Sequence, residues 1–340
     1  MSPKRRHRLP LVAVATAASA LLLAGCAASV PEPAADPTES PSASGSGYPL
    51  TIDNCGTEVT FDSAPERVLT IKSTSTEMLL ALGLGDHIVA SSFSDGPVSE
   101  QWADAAADVP VISDSVPGQE AVLEQNPDLV YAGWESNFSA EGAGDRAALA
   151  TLGLNTIVSP AACQEEGYQP HPLTFDDVFD EITQVGQIFD ATDAAATLVA
   201  DQRAALDAVK PAKGETTALW YSSGSDTPFV GAGSGAPQIM MDAAGLTNIA
   251  EDIDETWSSL SWEVVVEANP DVIVLVDSAW GSTEKKIGVL EANPVTAQLD
   301  AVKNKRYLIV PFPASEAGVR NVETVQSLVD QVKKLDDAAN

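Results

Sequence analysis

The sequence predicts an α/β protein of two lobes, each built on a parallel sheet, with a long helix joining them. Three observations carry this. A segment recurs: Gln119–Tyr131 reads QEAVLEQNPDLVY, and Trp262–Val274 reads WEVVVEANPDVIV. Both run Glu, aliphatics, Glu, one residue, Asn-Pro-Asp and an apolar stretch, and such a recurrence marks two equivalent units. Short apolar runs alternate with helix-period segments, the pattern of parallel sheets covered on both faces. Between the units, Phe175, Val178, Phe179, Ile182, Val185, Ile188 and Phe189 fall on one helical face. That helix is capped by Thr174 with Asp177 three residues on, and a second helix runs from about Asp193 to Val209.

The elements follow in order. Lys4, Arg5, Arg6 and Arg8 precede the apolar run Leu11–Ala24, which is shorter than the roughly 20 residues of a membrane-spanning helix and suits a signal peptide over 1–25. Leu23-Ala24-Gly25-Cys26 resembles the lipobox of bacterial lipoproteins, with Cys26 lipidated; the alternative is a plain secretory signal cut elsewhere. Residues 26–47 are dominated by Ala, Pro, Ser and Gly and read as a flexible tether. The first lobe spans 48–173, with strands at Val68–Ile71, His87–Ala90, Leu129–Tyr131 and Thr156–Val158 and a helix at Ser75–Leu82. Connecting helices occupy 174–210. The second lobe spans 211–340, with strands at Thr217–Tyr221, after Asp271 and at Tyr307–Pro311, a helix at Ala236–Ala244, and a closing C-terminal helix. In each recurrence the proline ends a helix and biases the preceding Asn toward extended backbone. The apolar run that follows is a buried strand.

Charge excludes one class of partner. Loss of the four basic residues of the signal peptide leaves 14 against 49 acidic residues, a net charge of −35. That disfavours nucleic acid and charge-driven binding to anionic membrane. Once Cys26 is lipidated, Cys55 and Cys163 remain in an oxidising setting, either bridged or as two buried thiols. The mature chain has only His87 and His171, too few and too distant for a metal cluster. The run Gly231–Gly235 is neither a nucleophile elbow nor a phosphate loop, and no enzymatic motif is present.

In open α/β sheets, ligands sit beyond the carboxyl ends of the strands. Those ends carry Lys72 and Ser73; then Tyr131, Trp134 and Asn137, followed by Arg146; then Tyr221 and Ser222; then Trp280; and finally Arg320, past the last strand. Trp257 joins the set as a further ring. The stretch Tyr131–Phe138 places three aromatics where a strand stops, in a chain that is 6% aromatic. Tyr131, Trp134, Tyr221, Trp257 and Trp280 would stack on a planar heteroaromatic ligand. Lys72, Arg146 and Arg320 would hold a phosphodiester or carboxylate.

The run APERVLTIKSTSTEMLLALGLGDHIVASS, both Asn-Pro-Asp segments and NPVTAQLDAVKNKRYLIVP resemble class III periplasmic-type binding proteins, the substrate-binding subunits of ABC importers for siderophores, haem and cobalamin. The resemblance spans about residues 52–335 and implies two Rossmann-like lobes, a connecting helix and a ligand held between the lobes. It implies that Glu120 and Glu263 dock onto arginines of the permease, and that the partners are that permease and its ATPase. It also implies no cofactor, a monomer, and a lipid-anchored place on the outer face of the membrane. More narrowly, YAGWESNFSAEGAG, ALWYSSGSDTPFVGAG and FPASEAGVRNVE are similar to actinobacterial importers of the coenzyme F-420 precursor, a deazaflavin. The alternatives on the same scaffold are a ferric siderophore, haem or cobalamin. A hydrolase or oxidoreductase is a distant third.

Overall fold

In the computed structural model, residues 47–339 are described, except Lys213. The signal peptide, Cys26 and the tether up to residue 46 lie outside the described residues. The strands are β1 (Leu50–Asn54), β2 (Thr57–Phe61), β3 (Val68–Ile71), β4 (Ile88–Ser92), β5 (Val111–Ser113), β6 (Leu129–Ala132), β7 (Asn155–Val158), β8 (Thr216–Ser223), β9 (Phe229–Gly231), β10 (Leu246–Asn248), β11 (Trp257–Ser259), β12 (Val272–Asp277) and β13 (Tyr307–Pro311).

The first lobe holds a parallel sheet in the order β5-β4-β3-β6-β7. The chain leaves central β3 toward one edge and returns to β6 on its other side. This creates a switch point where the carboxyl ends of β3 and β6 diverge. The second sheet runs β11-β9-β8-β12-β13, with β10 also beside β8. Expected to be parallel, it is mixed, because β9 is antiparallel to both β8 and β11. The link from Ser223 to Phe229 is far too short for a helical crossover, so only a hairpin can form. A second hairpin, β1–β2, precedes the first sheet; Cys55 and Gly56 make its two-residue turn with φ of 52° and 73°.

The recurring motif gives the same substructure twice. Helices Gln119–Glu124 and Trp262–Ala268 lead into β6 and β12. Asn126 and Asn269 are not extended, as a residue before proline would be; they take φ of 49° and 41°, a left-handed turn that asparagine tolerates. Each following aspartate anchors the neighbouring central strand. Asp128 accepts from the amides of Glu66 and Arg67 (2.8 and 3.0 Å), and Asp271 from the amide of Thr217 (2.9 Å).

The connector is two helices, Phe175–Ile188 and Thr192–Ala208, with a reversal between them. The amide of Asp177 donates to Thr174 Oγ1 and the amide of Thr174 to Asp177 Oδ2, closing the capping box. Phe179, Ile182, Val185, Ile188 and Phe189 enter the core of the first lobe. The helices touch at Gly186, where a Cβ would sit 2.4 Å from that of Ala195. The C-terminal helix Asn321–Ala339 belongs to both lobes: Val322 packs in the first core, while Val325, Leu328 and Val332 pack in the second.

Candidate ligand-binding cleft

The carboxyl ends of the central strands face a cavity of about 470 Å³. From the first lobe come Thr74, Phe93, Gly133 and Trp134, and the loop after β7 supplies Ser159, Ala161 and Ala162. From the second come Ser222, Ser223, Phe229, Thr256, Trp257, Trp280, Phe312 and Glu316. The rings line the cavity in two groups. Trp134 meets Phe93 and Phe312 edge-on at 6.2 and 6.3 Å, Trp280 meets Phe312 at 4.7 Å, and Phe229 stacks on Trp257 at 6.1 Å.

Of the expected site residues, Trp134, Ser222, Trp257 and Trp280 line this cavity; the others are placed elsewhere. Tyr131 is buried, and its hydroxyl donates to Glu181 Oε1 at 2.8 Å. Tyr221 packs on Trp262, and its hydroxyl donates to the Gly224 carbonyl. Asn137 is buried, and its Oδ1 accepts from the Trp134 amide at 3.3 Å, shaping the turn that carries the indole. Ser73 Oγ accepts from the Asp95 amide at 2.9 Å.

The three expected cations are all committed away from the cavity. Lys72 is fully buried behind the aromatic wall, paired with Asp95, with its Nζ 3.4 Å from the ring centre of Trp134 and 4.4 Å from that of Phe93. Burial pushes the lysine down and the aspartate up, against the mutual attraction that holds them charged. Arg146 donates to the carbonyl and side-chain oxygens of Asn54 (2.8 and 2.9 Å) and to Thr156. Arg320 reaches Glu77 Oε1 at 3.4 Å. A strand-end cation turns inward when a buried carboxylate or carbonyl awaits it, which the linear sequence does not reveal.

Sequence reasoning passed over Phe93, Phe229 and Glu316 as site residues. The strand-end rule reaches both phenylalanines, which follow β4 and begin β9 beside Ser223. Glu316 was missed because cations were sought. Trp134 Nε1 donates to its Oε2 at 2.5 Å. Burial, with Asp95 nearby, raises the Glu316 carboxyl to about 7, against the pull of Lys72 and the indole donor. Cys55 and Cys163 are joined by a disulfide, tying the β1–β2 turn to the residue after Ala162 of the cavity wall. Glu120 and Glu263 are exposed in the first turns of their matching helices. His87 faces the Pro65 carbonyl and His171 pairs with Asp254; neither lines the cavity.

Residues 68–314 match the family described as periplasmic binding protein. The uncharacterized ABC transporter substrate-binding lipoprotein YvrC of Bacillus subtilis is 25% identical over 92% of this chain and 94% of its own. A cobalamin-binding protein of Halobacterium salinarum is 30% identical over 79% of this chain and 69% of its own. The crystal structure of an ABC-type Fe3+-hydroxamate transport system from Saccharomonospora viridis superposes with a TM-score of 0.73. It is 28% identical, covering 84% of this chain and 99% of that one. The chain belongs to the periplasmic binding protein family, as a substrate-binding protein of an ABC transporter.

Proposed function

We propose that this protein, a non-enzymatic monomer anchored through lipid on Cys26, captures a corrinoid and delivers it to an ABC permease docked on Glu120 and Glu263. The observation that carries the ligand class is the wall: six aromatic rings, hydroxyls and one carboxylate, with no lysine or arginine among the described lining residues. A net-neutral macrocycle with a broad apolar face and amide arms suits such a surface. The anionic deazaflavin precursor does not, because the cations expected to meet it are bound elsewhere. Haem is disfavoured too, since no His, Tyr, Cys or Met among the described residues lines the cavity to ligate its iron. A ferric hydroxamate chelate without negative charge is the second reading, supported by the Saccharomonospora likeness.

Calorimetric titration with cyanocobalamin, a neutral ferric hydroxamate and the deazaflavin precursor separates these. Saturable binding of cyanocobalamin, weakened at least tenfold by Trp257→Ala or Trp280→Ala, is the expected result. Binding of the deazaflavin precursor alone overturns it.

A further inference from the structure

Among the described residues that line the cleft, one is charged: Glu316. It stands on the segment after β13, and the indole that donates to it, Trp134, comes from the end of β6 in the other lobe. Its backbone carbonyl accepts from Asn321 Nδ2 at 2.7 Å, which fixes the base of the side chain. The charged groups that face it are Lys72 and Asp95, a buried ion pair whose charges offset each other. The sign of the cavity wall is therefore set by Glu316.

Building on the corrinoid reading, we infer that Glu316 is the specificity-determining residue of the cleft: its carboxylate accepts amide or ammonium donors of the ligand and turns away anions. One oxygen is occupied by Trp134, and the other is the acceptor a ligand donor meets. Charge-assisted hydrogen bonds are about twice as strong as neutral ones, and a low-dielectric wall strengthens both the attraction and the repulsion. The same bond sets the indole that Lys72 backs, so the carboxylate orients the platform as well as charging the wall.

The role predicts a pH signature. With a midpoint near 7, the carboxylate is ionised at pH 8.5 and protonated at pH 5.5. Wild type is expected to bind cyanocobalamin about tenfold tighter at pH 8.5, a gain of about 1.4 kcal/mol. Glu316→Gln is expected to bind it equally at both pH values. Without any ligand, the indole N–H resonance of Trp134, identified by its loss in Trp134→Phe, is expected to titrate near pH 7 in wild type and stay fixed in Glu316→Gln. A pH dependence shared by the two proteins, or an indole resonance that does not titrate in wild type, overturns the assignment. Should neither protein bind cyanocobalamin, the anionic deazaflavin precursor decides. Tighter binding by Glu316→Gln upholds the role of Glu316 while the corrinoid reading falls; equal binding overturns both.

Discussion

Lys72 shows how much a single residue can hide. Its backbone sits at φ 82°, ψ 155°, a region costly for any side chain but glycine, at the start of helix Ser73–Ala81. Gly133 makes room beside it: a Cβ there would lie 2.5 Å from Thr74 Oγ1 and 2.8 Å from Lys72 Cβ. The ammonium and Asp95 are buried together behind the half-buried rings of Trp134 and Phe93. Removing one partner leaves an uncompensated buried charge, so Lys72→Met is expected to cost about 3–5 kcal/mol in urea unfolding. The pair Lys72→Met with Asp95→Asn should recover most of it. The strand-end rule found Trp134, Ser222 and Trp280, and Trp257 was added as a further ring. It misplaced Tyr131 and Tyr221 because strands of sheets covered on both faces bury every side chain, so alternation gives no direction.

At the level of elements, the Asn-Pro-Asp recurrence, the capping box and the connector were legible because each is encoded within a few neighbouring residues. The two hairpins were not read, although CG at 55–56 and SGSDTP at 223–228 carry their turn residues. The β1–β2 hairpin matters for the site. Asn54 bonds both backbone groups of Val158 (2.8 and 2.9 Å), Arg146 holds Asn54, and the Cys55–Cys163 bond closes the clamp beside the wall loop Ser159–Ala162. The disulfide closes a loop of 108 residues. Reduction is therefore expected to remove about 2–5 kcal/mol of stability. It should also weaken ligand binding while the far-ultraviolet spectrum persists. Unchanged affinity after reduction would show that the wall stands without the clamp.

Across the whole molecule, acidity and burial act together. Glu181, buried under the hydroxyl of Tyr131, and Glu316 both have carboxyls raised from 4.5 to about 7, chiefly by desolvation. Between these values the folded protein binds more protons than the unfolded chain, so stability is full below about 4.5 and is lost as pH rises through 7. Repulsion within a chain of net charge −31 has the same sign. The melting temperature is expected to fall from pH 5 to pH 8 in low salt, and less steeply in Glu181→Gln and Glu316→Gln. A rise over that range would contradict the assignment. Two lobes could be read from the chain itself. That helix Asn321–Ala339 is rooted in both cores could not, because its apolar stripe does not say which core each residue meets.

Before export, the same chain passes through a reducing cytosol, where Cys55 and Cys163 stay thiols. The wall at Ser159–Ala162 then has no covalent tie. Newly made protein is expected to hold ligand less tightly there than after it has crossed the membrane and the bridge has closed.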